Sequence, residues 1–183
     1  LGIALGSALL LLTACPSSRA SSSQPVGDPN MTTTQTAANV KVGCTVTGTE
    51  LVMEIRNEGA APVYLLKNDR MPYVMHPGAG KLTVEYGVHA PDPDADYYMI
   101  EIPSTQELAA GASIQAKVSL SPLVLSDHYE GTEQATLTGT HTVTCRAAWG
   151  AEPITEAKSR QMGIKSLIAW QTWVDADAVT VEL

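Results

Sequence analysis

Three aspartates at alternate positions are the first residues in the sequence that could do chemistry. Asp92, Asp94 and Asp96 lie in the segment APDPDADYY. Carboxylates at the first, third and fifth positions open a calcium-binding loop, which also needs glycine at the sixth position and glutamate at the twelfth. This chain has Tyr97 and Pro103 at those positions. We therefore interpret the segment as an acidic surface turn and keep calcium binding as the alternative.

Soft metal ligands occur close together in the segment MPYVMH. Met71, Met75 and His76 offer two thioethers and an imidazole, a set that suits copper(I). Copper carriers usually show paired His-x-Met elements, and the sequence contains none. Methionine at a strand edge also serves as a packing residue. We expect these side chains to pack and the protein to need no cofactor, with copper binding as the alternative.

No nucleophile with an accompanying base can be recognised in the sequence. It lacks the Gly-x-Ser-x-Gly, His-Glu-x-x-His and phosphate-loop patterns. Asp127 and His128 are adjacent, but adjacency in sequence does not orient a carboxylate on an imidazole. Glu130 and Glu133 follow them and are expected to form a solvated acidic rim. We therefore predict that the chain is not an enzyme.

Aromatic side chains are the remaining candidates for a functional surface. The chain has three Trp, six Tyr and no Phe. Consecutive residues of a strand face opposite sides, so Tyr97 and Tyr98 cannot both be buried on one face. Aromatic residues beside acidic loops are typical of protein-binding surfaces. Core filling is the default interpretation, and Tyr97, Tyr98 and Trp173 are the candidate partner contacts.

All of these residues depend on β-strands for their placement, because hydrophobic alternation dominates the sequence after residue 39. Residues 40–47 and 51–56 alternate with a period of two, with a Gly-Thr turn between them. The one helix-like segment, TEAKSRQMGIKSLIAW, is interrupted by Gly163. About eight or nine short strands predict an all-β, antiparallel β-sandwich. The other predicted strands are VYLL, KLTVEYGV, YYMIEI, ASIQAKVSL, HTVTCRAAW and AVTVEL.

The N-terminal residues 1–14, LGIALGSALLLLTA, are uncharged and apolar. They are too few for a bilayer-spanning helix, which needs about 20 residues, and fit the core of a signal peptide whose N-terminus is incomplete. The segment LTAC resembles the lipobox of bacterial lipoproteins. That resemblance implies a diacylglyceryl group on Cys15 and cleavage just before it, and Pro16 in place of Asp implies the outer membrane if the source is Gram-negative. An ordinary signal peptide with a chance cysteine is the alternative.

The composition of residues 15–38 differs from that of the apolar segment before them. After Cys15 they are rich in Ser, Thr, Pro and Ala and contain almost no large apolar side chains. Such a segment cannot bury enough surface to offset its loss of conformational entropy. We predict a flexible linker that holds a single domain, residues 39–183, away from the membrane.

The two cysteines outside the lipobox share the phase of buried positions on their strands. Cys44 is in phase with Val42, and Cys145 is in phase with Val143 and Ala147. Two inward-facing cysteines in an exported domain predict a buried disulfide between the sheets. Two free buried thiols are the alternative.

Several stretches resemble bacterial immunoglobulin-like domains. They are LVMEIRNEGAAPVYL, LAAGASIQAKVSL followed by GTHTVTCRAAW, and the closing AVTVEL. The resemblance implies an immunoglobulin-like sandwich over most of residues 39–183.

The net charge of the chain limits the classes of partner that it can bind. The formal net charge is −8, so nucleic acid and anionic lipid headgroups repel the chain. We predict a lipoprotein of the cell envelope, attached to the membrane through Cys15, whose domain binds another protein. An inhibitor or immunity protein against an exported toxin or protease fits this class. The alternative is a periplasmic protein that binds a metal or small ligand, through residues 71–76 or 92–96.

Overall fold

The computed structural model describes residues 39–97 and 100–183. The apolar N-terminal segment, Cys15, the linker and Tyr98 lie outside the described residues, so the predictions made for them stay predictions. The strands, in chain order, are β1 (Val40–Thr47), β2 (Glu50–Asn57), β3 (Val63–Lys67), β4 (Tyr73–Gly78), β5 (Lys81–Tyr86), β6 (Ser104–Leu108), β7 (Ser113–Ser119), β8 (Leu123–Ser126), β9 (Thr132–Ala135), β10 (Thr140–Gly150), β11 (Thr172–Asp175) and β12 (Val179–Glu182). Two short helices, α1 (Glu156–Ser159) and α2 (Ile164–Trp170), connect β10 to β11.

The strands form two sheets. The smaller sheet has the order β1-β2-β7, and the larger has the order β6-β3-β10-β5-β4-β8-β9, with β11 and β12 also paired to β10. The named strand pairs are antiparallel except β5 and β10, which run parallel. The long strand β10 pairs with four strands of the larger sheet, β3, β5, β11 and β12.

The core lies between the two sheets. Leu51, Met53 and Ile55 of β2 are fully buried, as their alternation predicts, and they belong to one cluster with Val84 and Val143 of the larger sheet. Apolar side chains at every second position place one face of each strand in this core. An all-β sandwich is therefore confirmed.

A disulfide joins the two sheets. Cys44 of β1 is bonded to Cys145 of β10, with a Cα–Cα distance of 5.9 Å. Cys145 is fully buried. The predicted pairing between sheets is thus confirmed.

Parts of the strand prediction differ from the structure. Twelve strands are present in the described residues instead of eight or nine, because four-residue strands such as β8 and β9 are too short to show alternation. The strand predicted in YYMIEI is wrong for residues 97 and 100–102, which are irregular; Pro103 has no N–H to pair, and β6 begins only after it. Val46, which the alternation of residues 40–47 places in phase with Val42 and Cys44, is 37% exposed because it lies near the end of β1.

The helix-like segment folds as two pieces. The first piece, α1, ends at Ser159 with Arg160 as its C-cap, and Gly163 takes the N-cap position of α2 in an extended conformation. Leu167 of α2 is fully buried against a second, smaller cluster that contains Leu66, Tyr73 and Ile154. No helix in the described part of the chain is both long enough and apolar enough to cross a membrane.

Candidate functional site

The four histidines, which lie in separate segments of the sequence, meet as two pairs in the fold. His89 and His128 both pack edge-on against Tyr129, with ring centroids 5.3 and 5.1 Å from its ring. His76 and His141 have ring centroids 5.8 Å apart. The first pair belongs to a larger group of charged and aromatic side chains, which is the candidate functional site.

At the centre of this group, the imidazole of His89 lies between two carboxylates. Glu85 is at the end of β5 and is almost fully buried, and His89 follows four residues later. Nδ1 of His89 lies 3.4 Å from Oε2 of Glu85, and Nε2 lies 3.5 Å from Oδ2 of Asp127. At these distances the attraction is mainly electrostatic, and it is strongest when the imidazole is protonated.

The two histidines of this pair differ in pKa because their surroundings differ. The Glu85 carboxylate raises the pKa of His89, burial opposes that effect, and Asp127 adds to it. Burial lowers the pKa of His128. The Nδ1 atom of His128 lies 3.0 Å from the hydroxyl of Tyr73, and burial raises the pKa of that phenol to about 12. Tyr73 therefore keeps its proton and can donate it to a neutral His128.

Arg146 extends the charged group towards Trp173. It lies opposite Glu85 in the parallel register of β5 and β10, with Nη1 3.7 Å from Oε1 of Glu85. Its guanidinium lies 4.2 Å from the centroid of the Trp173 ring, within the range of a cation–π contact. A Cβ atom at Gly87 would lie 2.6 Å from Cη2 of Trp173, so the ring packs directly on a glycine backbone.

The structure brings two of the predicted partner-contact residues into one continuous series of contacts. Tyr97 is half-buried and stacks on Tyr129, with ring centroids 4.6 Å apart. The series continues to Trp173 and is here named the histidine–acid row; its members are Tyr97, Tyr129, His89, Glu85, Arg146 and Trp173. Sequence reasoning singled out only the two ends of the row, because its central contacts depend on the register of β5 with β10.

A cleft of about 280 Å³ opens beside the row. The guanidinium of Arg70 donates to the backbone carbonyls of Asp127 and Glu130, so it fixes this loop. The two phenols of the cleft are already engaged: the Tyr129 hydroxyl donates to the carbonyl of His89, and the Tyr97 hydroxyl accepts from the N–H of Asp92. Its lining residues are Asn68, Arg70, Tyr97, Ile100, Glu101, His128 and Tyr129.

Asp127 and His128, which are adjacent in the sequence, do not form an acid–imidazole pair in the structure. Asp127 contacts His89, not the adjacent His128, and its other oxygen accepts a hydrogen bond from the backbone N–H of Tyr129 at 2.8 Å. Glu130 and Glu133 are exposed, as the sequence predicts for a solvated rim.

The candidate metal ligands do not gather into one site. Asp92, Asp94 and Asp96 are exposed, and Oδ1 of Asp92 accepts a hydrogen bond from the N–H of Asp94, which is a turn contact. Met71 packs against both hydrophobic clusters. Within residues 39–97 and 100–183, no group of three or more His, Cys, Asp or Glu side chains is arranged to hold a metal ion.

An open sheet edge lies on the far side of the Asp127 loop. Among the described residues, β9 pairs with β8 on one side and with no strand on the other. A groove of about 520 Å³ runs beside it. The groove combines three acidic side chains with apolar ones; its main lining residues are Val74, Met75, His76, Leu125, Asp127, Glu130 and Glu133. The sequence indicated the acidic residues, but nothing in it marked a sheet edge.

No protein-family model, curated protein or solved structure matches this chain.

The row makes the stability of the fold depend on pH. Because the folded state raises the pKa of His89 above its ordinary value near 6.5, its charged form stabilises the fold. That contribution is complete below about pH 6.5 and is lost as the pH rises through the raised pKa. We expect His89→Gln to lower the free energy of unfolding by about 1 kcal/mol at acidic pH and by less at alkaline pH.

His128 serves as a control because its effect on stability has the opposite dependence on pH. Its pKa is lowered, so its protonation opposes folding as the pH falls below about 6.5. Urea unfolding between pH 5 and 8 measures the free energies of unfolding of the parent, His89→Gln and His128→Gln chains. As the pH falls, His89→Gln should lose stability relative to the parent, and His128→Gln should gain it. A difference for His89→Gln that is independent of pH would show that the two carboxylates do not hold a protonated imidazole.

Proposed function

We propose that this chain is a lipoprotein of the bacterial envelope whose sandwich domain binds another protein. The signal peptide directs export and is cleaved, the lipid on Cys15 attaches the chain to the outer membrane, facing the periplasm, and the linker holds the domain off the surface. The domain acts as a non-enzymatic inhibitor or immunity protein against an exported toxin or protease. The observation that carries the binding role is the open edge of β9 beside the acidic groove.

An open strand edge supports protein binding because it presents unpaired backbone N–H and C=O groups. An extended segment of a partner can add to such an edge as a further strand. The side chains of Thr132, Glu133 and Gln134 are exposed along β9, and Val124 of β8, opposite Gln134, is 43% exposed. The edge therefore offers both backbone pairing and an apolar contact.

Charge indicates the chemistry of the partner segment. Asp127, Glu130 and Glu133 line the groove beside the edge, and the whole chain carries a net charge of −8. Complementary charge speeds association and selects partners. We therefore infer that the segment that adds to β9 is basic, and that its association weakens as salt screens the charges.

The contacts of the histidines support a non-enzymatic role. Activation of a serine, threonine or cysteine nucleophile needs a hydrogen bond to a base. In the described part of the chain, no histidine is hydrogen-bonded to such a side chain: His128 bonds to Tyr73, and His141 bonds to the carbonyl of Gly139. His89 instead lies between the carboxylates of Glu85 and Asp127, which raise its pKa.

Charge reversal on the β9 edge should abolish partner binding. Lysine on an edge strand disfavours strand addition, and Glu133→Lys also reverses one charge of the groove. We expect the parent chain, immobilised through its C-terminus, to retain a basic protein from envelope extract at low salt. Retention by Glu133→Lys should fall at least about tenfold, equivalent to 1.4 kcal/mol.

The matched control lies at the other end of the same sheet. Glu107 is exposed on the edge strand β6, so Glu107→Lys makes the same charge change on the opposite edge. It should retain the partner as the parent does. Equal retention by parent and Glu133→Lys, or equal loss in both variants, would contradict a site on β9.

A further inference from the structure

The second histidine pair lies across the width of one strand. β4 carries His76 and β10 carries His141, and both strands pair with β5 from opposite sides. Strands two places apart in a sheet are about 9.5 Å apart. The ring centroids are only 5.8 Å apart, with planes inclined by 50°, so the two side chains lean towards each other across β5.

One imidazole of this pair is supported as metal-binding histidines are. Nδ1 of His141 lies 3.0 Å from the carbonyl oxygen of Gly139, so it carries the proton and donates it. This leaves Nε2 of His141 with a free lone pair. A backbone carbonyl that accepts from the other ring nitrogen is the usual support of a metal-ligating imidazole.

His76 provides an independent observation. Its Nε2 atom is buried and has no hydrogen-bond partner among the described residues. Buried polar atoms almost always have a partner, so an unpaired imidazole nitrogen next to a second imidazole needs an explanation. An ion held between the two rings would bind Nε2 of His76, which has no partner, and the free lone pair on Nε2 of His141.

We propose that His76 and His141 together bind a divalent transition-metal ion, with Cu²⁺ bound most tightly. Two nitrogens at about 2.0–2.1 Å from one ion place their ring centroids roughly 5 to 6.5 Å apart, which includes the separation in this structure. Imidazole suits copper, zinc and nickel, and Cu²⁺ stands highest in the general affinity order of these divalent ions. Water completes the coordination.

The proposal differs from the copper alternative drawn from the sequence, and it does not depend on partner binding at β9. His76 is the only residue common to both sets of ligands. His141 is 65 residues away from it in the sequence and replaces Met71, which packs in the core. Ring nitrogens of His89 and His128 are also buried without a hydrogen-bond partner in the described part of the chain, but the ring neighbours of these two histidines are tyrosines and not a second imidazole. They therefore provide controls of the same residue type.

Titration with Cu²⁺ tests the proposal. The full chain carrying Cys15→Ser is used, because this removes the only cysteine outside the disulfide. We expect one Cu²⁺ per chain, an electron paramagnetic resonance spectrum of two nitrogen ligands, and a rise in melting temperature on metal addition. His76→Gln and His141→Gln should each weaken binding at least about tenfold and remove one nitrogen from the spectrum.

His89→Gln and His128→Gln should keep both the affinity and the two-nitrogen spectrum. His76 is only half-buried, so its replacement by glutamine should leave the fold intact, and circular dichroism with the His128→Gln control checks this. The proposal is overturned if folded His76→Gln binds Cu²⁺ as tightly as the parent, or if all four glutamine variants weaken binding equally.

Discussion

Replacing Cys44 by alanine should lower the free energy of unfolding of the oxidised protein by about 4 to 5 kcal/mol. The bridge to Cys145 joins residues 101 positions apart. In the chain-entropy model, closing a loop of about 100 residues removes conformational entropy from the unfolded chain worth about 4.7 kcal/mol. Small domains are usually stable by only about 5 to 15 kcal/mol, so this is a large fraction of the total.

The burial pattern of β1 explains why the fold depends on this bridge. Of its eight residues only Val40 is buried, and the strand is exposed from Thr45 to Thr47. A strand at the edge of a three-stranded sheet with so little apolar contact gains little from the hydrophobic effect. The bond from Cys44 to β10 ties it to the larger sheet instead.

Urea unfolding of the parent and the variant, with and without reductant, measures this contribution. The double variant Cys44→Ala/Cys145→Ala serves as the control, because it leaves no free thiol to form bonds between molecules. Both variants should lose stability under oxidising conditions and match the reduced parent within about 1 kcal/mol. Equal stability of the oxidised parent and the double variant would contradict a stabilising bridge.

The strands that could be predicted from the sequence are those that bury one face over several residues. In β2, Leu51, Met53 and Ile55 are fully buried and alternate with Val52, Glu54 and Arg56, which are more exposed. The strand β9, by contrast, has the sequence TEQA and no buried side chain. It exists because β8 pairs with it, and such pairing leaves no periodic signal in the sequence.

The candidate site was predictable only in part, for a related reason. Tyr97 and Trp173 stand out by residue type, but the contacts between them come from elements that are distant in sequence. Glu85 meets Arg146 because β5 and β10 pair in parallel register, and His89 meets Asp127 because the β8–β9 hairpin folds over it. A sequence gives the residue types of such a site, while strand register decides which of them touch.

Replacing Cys15 by serine should abolish lipid attachment and remove the protein from the outer-membrane fraction. The lipobox resemblance assigns a thioether-linked lipid to this sulfur, and a serine hydroxyl cannot form that bond. A single acyl chain binds membranes only marginally, so stable anchoring requires the multiple chains that a lipidated cysteine carries. The intact mass and the membrane distribution of the precursor, expressed in a Gram-negative host, measure both effects.

Replacing the cysteines should affect lipid attachment and stability separately, because Cys15 lies outside the domain and the two disulfide-bonded cysteines lie inside it. Cys15→Ser should leave the free energy of unfolding unchanged within about 0.5 kcal/mol, since surface or linker substitutions rarely change it more. Cys44→Ala should lower stability but keep the lipid mass. A parent protein without acyl mass, or a serine variant that stays in the outer membrane, would contradict the anchor. A mature protein whose lipid depends on Cys15 alone would keep the binding domain tethered to the membrane, where a tethered domain meets exported proteins at a high effective concentration.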